Sequence, residues 1–435
     1  MKPTILFLRI ILLLIAGTML ASSGWAQLFQ ARFVSSAYVW QREDTVRQSA
    51  NHFYGFQSAQ ISLAAEHFSF HTNLQGFNDF SGPLKNEGLL RVYNFYAKYS
   101  GIVNSVDVSV GRQSVFAGAG SGTIDGAIVT ARVPNYPIKL LGYYGALPVP
   151  NYKFELIDNI RSNNMLGAQI IGSPSECATV SLSYMRKENL PESYWAQRAY
   201  DSTYAIHTVE ITPSSESEQY LSGDINIDYH DAISGYARYD YDVNQEKTSR
   251  VQLFTRVTIS EPLALTGEYV HREPRLSYNS IFWVFAYNTI DDYELGGEYT
   301  LCKNWQVFGK YGEVSYGDDH SRQVTLGSNT KYASASISWN TGYGGSLAAV
   351  SANAGYPLWN NKITPTVLLS YAQYRLSDAD VLTNALSGGV GLVYRPIAAL
   401  SFDGQAQYIQ NNIYNDDVRF FLRCSYHLSE RLNIF

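Results

Sequence analysis

Glu66, His67 and His71 are the first residues of this chain whose spacing could do chemistry. Two imidazoles four residues apart share one face of an extended strand, a beginning for a metal pair or a histidine-assisted hydrolase. No third ligand follows at a fixed spacing. The remaining histidines, His52, His207, His230, His271, His320 and His427, are scattered without a nucleophile or acid in a recognisable constellation. Asp318-Asp319-His320 and Asn411–Asp417 are rich in acceptors but lack the ligand spacing of a calcium loop. Cys177, Cys302 and Cys424 lie far apart with no CxxC pair, which argues against a disulfide framework and a metal knuckle. The expectation is no catalytic site, no metal and no cofactor; an enzyme is the least supported reading.

Gly111–Gly126 (GRQSVFAGAGSGTIDG) is the most distinctive stretch. A dinucleotide-binding loop would open a helix at its third glycine. Here the alternating segment Ile124–Ala131 follows, which reads as a strand, so the phosphate-cradle reading fails. Arg112, Gln113 and Asp125 stand at the shoulders of the glycine-rich centre. Gly-Arg-Gln followed by Asp-Gly resembles a stretch of porin-like bacterial outer-membrane β-barrels, including alginate-export-like ones. The resemblance covers these residues alone. It implies a loop packed at a pore mouth and names no substrate.

A larger set of charged residues sits at alternate positions of apolar segments: Lys98, Asp107, Asp224, Asp228, Arg238, Asp240, Arg256, Glu268, Glu294, Glu298, Lys310, Asp403, Arg419 and Arg423. Side chains of both signs on one face of a sheet form cross-strand pairs worth a few tenths of a kcal/mol each. The same residues around a lumen would set conductance and charge preference. They are therefore the candidate pore lining.

The elements that would position them are strands. Val106, Val108 and Val110 oppose Asp107, Ser109 and Gln113; Val251, Leu253, Val257 and Ile259 oppose Gln252 and Arg256; Val418, Phe420, Leu422 and Tyr426 oppose Arg419, Arg423 and Ser425. Alternation gives each strand one apolar and one polar face. A soluble sandwich would alternate too. Three further features favour a barrel in a bilayer. The segments run to about 9–11 residues, the length a tilted membrane strand needs. Short connections (Ser260-Glu261-Pro262, Cys302-Lys303-Asn304, Pro357–Asn361, Pro396-Ile397) alternate with long ones (Gln41–Tyr54, Asn78–Gly88, Leu147–Asn164, Lys187–Gln219, His271–Ile290), as periplasmic turns and extracellular loops do. Tyr99, Tyr229, Tyr269, Tyr299, Tyr394 and Tyr426 cluster at strand ends, where a ring with a polar tip meets a membrane surface. The fold expected is all-β: a transmembrane antiparallel up-and-down β-barrel of about 22 strands, or about 18 if weak segments merge, from near Ala31 to near His427. Thr203–Thr212 is assigned to a partly extended external loop, because a spanning strand there would break the even count.

The ends complete the picture. Lys2 and Arg9, an apolar run through Ile10–Ile15 to Leu20, and Ser22-Ser23-Gly24-Trp25-Ala26 have the layout of a cleaved secretory signal peptide over residues 1–26, leaving 27–435 as one domain. Cleavage removes two cations and no acid, so the net charge of −6 becomes more negative by two. Such a chain is not built to hold nucleic acid. Phe435 ends the chain as a terminal aromatic, resembling the sorting signature of outer-membrane barrels. Leu428–Leu432, however, resembles the turn at Ile259–Leu263, so Ser429–Phe435 reads as a tail. Localisation in a bacterial outer membrane follows, with the lipid bilayer and a small solute as partners; the resemblance adds the barrel-assembly machinery during biogenesis and allows a homo-oligomer. The function expected is a porin-like channel for passive diffusion of small hydrophilic solutes. Its alternative is a barrel that scaffolds a periplasmic or extracellular partner. A barrel this wide needs narrowing or a plug, and inward folding of Lys187–Gln219 or His271–Ile290 would supply it; Phe282, Trp283, Phe285 and Tyr287 make the latter too apolar to sit bare in water.

Overall fold

The computed structural model describes residues 27–44, 49–81, 90–149, 151–153, 155, 160–190, 193–199, 206–214, 216–275, 288–377 and 379–432. The signal-peptide segment and Phe282, Trp283, Phe285 and Tyr287 lie outside them. Alternating β-branched and aromatic residues fold as strands throughout. They are β1 (Gln27–Asp44), β2 (Ser49–Ala64), β3 (Phe68–Asp79), β4 (Leu90–Ile102), β5 (Val106–Ala117), β6 (Gly120–Arg132), β7 (Ile138–Ala146) and β8 (Asn163–Ser175). Next come β9 (Ala178–Asn189), β10 (Tyr194–Ala199), β11 (Ile206–Ile211), β12 (Glu218–Tyr229), β13 (Ile233–Asp242), β14 (Lys247–Ser260), β15 (Leu263–Arg272) and β16 (Ile290–Cys302). The chain ends with β17 (Trp305–Tyr316), β18 (Asp319–Thr330), β19 (Ala333–Gly342), β20 (Gly345–Gly355), β21 (Ile363–Arg375), β22 (Thr383–Ile397), β23 (Leu400–Gln410) and β24 (Tyr414–Leu432).

Twenty-two of these strands form one antiparallel sheet, and β1 pairs with both β2 and β24, so the sheet closes into a barrel. The even count expected from alternation is met. It is met because β11, which covers most of Thr203–Thr212, pairs only with β10 in a separate two-stranded sheet. The tight turns after β8, β14, β16, β18 and β22 fall at one end of the barrel, with both termini of the sheet. The long connections after β3, β7, β9 and β15 fall at the other. That is the asymmetry expected.

Three boundaries differ from the sequence reading. The barrel strands run from 9 residues in β7 to 19 in β24, and several exceed the length expected, because ladders such as β1–β2 stay paired out to Glu43 and Ser49. Pro396-Ile397 closes β22, and the turn follows it. The segment taken as a turn, Leu428–Leu432, is strand: β1 starts early enough, at Gln27, to pair with it, Gln27 opposite Leu432 and Ala31 opposite Leu428. A turn signal yields where a neighbouring strand offers unpaired backbone groups.

The outer face is apolar. Leu182, Leu253, Leu295, Leu369, Val390 and Leu422 are each roughly half exposed or more. Towards the short-turn end this belt is edged by exposed Tyr99, Tyr229, Tyr299, Trp305, Tyr394 and Tyr426; towards the loop end by Tyr239, Tyr293, Trp339 and Tyr371. Tyr269 lies beside Tyr293, ring centroids 4.9 Å apart. The inner face carries the polar residues.

Candidate functional site

The interior is narrowed by β5 and β6. Pairing of β5 with β4 stops at Arg112 opposite Phe95, and pairing of β6 with β7 stops at Asp125 opposite Ala146. Among the described residues, 113–124 pair in a ladder only with each other, joined by the two-residue turn Gly118-Ala119. This hairpin leaves the wall and lies against the inner faces of the strands beyond it. The Ala119 amide donates to Ser183 Oγ on β9 at 2.8 Å, and Arg238 Nη2 on β13 donates to the Gly118 carbonyl at 3.1 Å. Ser183 and Arg238 sit midway along their strands, so the hairpin lies near the waist of the barrel. The glycine-rich stretch read as a mouth loop is thus mostly strand.

Glycine makes the departure possible. Gly111 and Gly126 face each other across the hairpin. A Cβ on Gly111 would run into the backbone of Phe95 and Tyr96, and its φ of +130° is one that side-chain-bearing residues avoid. A Cβ on Gly126 would run into the backbone of Tyr144 and Gly145. Just above, Arg112 grips Asp125 through two parallel bonds, 2.6 and 2.7 Å, and donates to the carbonyls of Val92, Tyr152 and Lys153. Gln113 donates to the carbonyls of Ser109 and Gly126. The three shoulder residues are therefore brought together, as a clamp at the root of the hairpin.

An apolar cluster fastens the tip. Val115, Ala117, Ala119 and Ile124 pack on Tyr143, Met165, Met185 and Tyr220 of the wall. Full burial of Val115, Ile124 and Met165 contributes about 1.5–3 kcal/mol each. Phe116, on the opposite face of the hairpin, is 81% exposed and points into the remaining opening.

The charged residues singled out in the sequence occupy inward positions, and the cations are all matched. Lys98 lies 3.4 Å and Arg132 3.0 Å from Asp107; Arg238 is 2.8 Å from Asp240, Arg256 3.2 Å from Glu298, Lys310 2.7 Å from Glu294, Arg419 2.6 Å from Asp417 and Arg423 2.8 Å from Asp403. Asp224 accepts from Ser181, and Glu268 accepts from Gln252 at 3.0 Å. Asp228 shares the parity of Asp224, nearer the short-turn end. Asp240 and Asp417 are fully buried, each between two guanidiniums: Asp240 between Arg238 and Arg275, Asp417 between Arg42 and Arg419. A desolvated carboxylate needs that much compensation. Arg42, Arg132 and Arg275 were not singled out, and Asp417 was read only as part of an acidic loop, because position in sequence does not reveal a partner on a distant strand.

The inner wall is uneven. From β12 to β17 it is charged. From β19 to β21 it is uncharged, with Ser336 bonded to Ser351 at 2.9 Å and Leu347 and Leu368 at inward positions. On β1–β3 it carries rings, among them Trp40 stacked on His52.

The histidine pair does not form. His67 lies in the turn before β3 and stacks on outward-facing Tyr99, whereas His71 stacks on Tyr96, three residues away and on the opposite face. A turn residue is outside the two-residue period that would have aligned them. In the acidic loops, His320 bonds Ser315, Asn411 accepts from the amides of Ile413 and Tyr414, and Asp416 accepts from Tyr408. The three cysteines are free thiols.

No protein-family model matches the chain, and no curated protein matches its sequence. Solved pores and porins are similar to it. The translocation pore of the P pilus usher PapC is 8% identical, covering 92% of this chain and 99% of its own, at a TM-score of 0.46. OccAB1 of Acinetobacter baumannii is 7% identical over 93% and 96%, at 0.44. A BenF-like porin from Pseudomonas fluorescens Pf-5 is 9% identical over 92% and 99%, at 0.40.

Proposed function

We propose that this protein is an outer-membrane channel of a Gram-negative bacterium, exported by a signal peptide over residues 1–26, through which small hydrophilic solutes diffuse passively. The observation that carries this reading is the closed barrel with an apolar, tyrosine-edged exterior and a polar interior narrowed by its own β5–β6 hairpin. An exposed apolar surface of that extent calls for lipid, and strands with one apolar and one charged face satisfy lipid and water together. The hairpin packs on one side of the interior, against the wall strands that carry Tyr143, Met165, Met185, Tyr220 and Arg238.

The lipid contact has a sharp signature. Leu295→Arg places a cation at the middle of β16 on the outer face, which costs about 2–4 kcal/mol in a bilayer. Its inward neighbour change, Glu294→Gln, should cost under half as much. Urea unfolding from vesicles measures both; equal losses would contradict a lipid-facing Leu295. The pore has its own. Arg423 is 42% exposed and balances Asp403, so Arg423→Gln leaves Asp403 unneutralised on the wall. The reversal potential under a salt gradient should shift towards cation preference, and an unmoved potential would remove this wall from the conduction path.

A further inference from the structure

The inner face of β1–β3 towards the loop end carries six rings in sequence of contact: Tyr38, Trp40, His52, Tyr54, Phe77 and Phe56. Tyr38 and Trp40 lie 4.7 Å apart, Trp40 stacks on His52 at 4.5 Å and 19°, and Tyr54 meets Trp40 edge-on at 4.8 Å. Phe77 joins Tyr54 at 5.1 Å and Phe56 at 5.0 Å. These rings occupy the polar parity of their strands: Phe33, Val39 and Phe53, at the opposite parity, are the exposed outer residues. A run of rings on a wall bathed in water is costly to keep unless something flat covers it.

The polar groups beside the rings say what it is. Trp40 pairs across the strands with Arg419, and Arg42 with Asp417. Trp40 Nε1 and Asp417 Oδ1 are buried with no hydrogen-bond partner among the described residues, an orphaned donor and an orphaned acceptor of the kinds that a hydroxyl answers. Below the rings the same wall opens into a cleft of about 590 Å³ whose lining includes Arg32, Gln60, His71, Asn73, Asn94 and His427. Amides and imidazoles both donate and accept, which suits hydroxyls. Arg32, whose Nε is buried without a hydrogen-bond partner among the described residues, adds donors to the same cleft.

We propose that the β1–β3 wall is a stacking track for the pyranose rings of an oligosaccharide, whose hydroxyls are taken up by Gln60, Asn73 and Asn94 in the cleft below. This rests on the channel reading and narrows it to a substrate class. Ring faces hold the C–H side of a sugar, while the polar rim keeps its hydroxyls bonded during passage.

The test adds maltotriose, cellotriose or xylotriose to the protein in a planar bilayer, with benzoate as a separate arm. At least one trisaccharide should interrupt the open current. Trp40→Leu should weaken that binding about tenfold, the scale of one good stacking contact, and Trp40→Phe should recover most of it; Tyr54→Leu serves if Trp40→Leu fails to fold. Interruption by benzoate alone, or interruptions indifferent to these changes, would overturn the proposal. If the protein passes no current, the channel reading fails by itself, and calorimetric titration of the detergent-solubilised protein with the same sugars decides the track: heat lost in Trp40→Leu supports it, and no heat overturns it.

Discussion

Replacing Gln113–Ile124 by a two-residue turn should raise the single-channel conductance severalfold while leaving the barrel closed. The reason lies in the pairing. Within β5 and β6, Phe95 opposite Arg112 and Asp125 opposite Ala146 are the last ladder pairs with β4 and β7, so the removed residues carry none of the strand pairing that closes the barrel. What they occupy is interior space at the waist, with Phe116 projecting furthest. Conductance follows the narrowest cross-section, and that section would pass to the wall. The deletion has a cost: Met165, Met185, Tyr143 and Tyr220 lose their cover, and each buried side chain returned to water gives up about 1.5–3 kcal/mol at most. Gel mobility with and without heating separates a closed barrel from a misfolded one. An intact barrel with unchanged conductance would show that the hairpin is not the narrow point.

The second large effect is expected at Asp240. Its carboxylate is fully buried, accepting from Arg238 Nε at 2.8 Å and from Arg275, while Arg238 also holds the Gly118 carbonyl at the hairpin tip. Asp240→Ala leaves two guanidiniums facing each other without their anion. Breaking a buried pair costs about 3–5 kcal/mol; a wet interior places this one near about 3. Because Arg238 then loses its anchor, the tip loses its clasp, and the open current should become noisier. Asp240→Asn keeps the shape and part of the bonding, so it should lose less on both counts. Heat unfolding followed by gel mobility reads the stability, and the current record reads the noise. A variant as stable and as quiet as the parent would refute this role.

Much of the barrel was legible in the sequence. Alternation in segments such as Val251–Ile259 needs only the two-residue period, and the loop asymmetry follows from strand length. The hairpin was not legible as such. Residues 113–124 alternate as a strand should, and nothing local says that the ladder to β4 ends. A weaker signal was present. Met165 and Met185 sit at positions where β8 and β9 otherwise carry Gln169, Ser181 and Ser183; of the chain's four methionines, only these lie beyond residue 26. An adaptable apolar side chain on a polar face marks something packed there. The rings on β1–β3 left the same kind of trace, since Tyr38 and Trp40 share the parity of Arg32 and Arg42. The end of the barrel was misread for another reason. Leu428–Leu432 has turn composition, but its conformation is decided by the partner that Gln27–Ala31 provides from the far end of the chain.

The central claim is an open, water-filled path through the barrel, and the current through a single purified molecule in a planar lipid bilayer tests it most directly. A steady ohmic current, present at every insertion, is the result expected. Repeated insertion, shown by protease-protected strands in the same membranes, with no current above that of the lipid alone would contradict it.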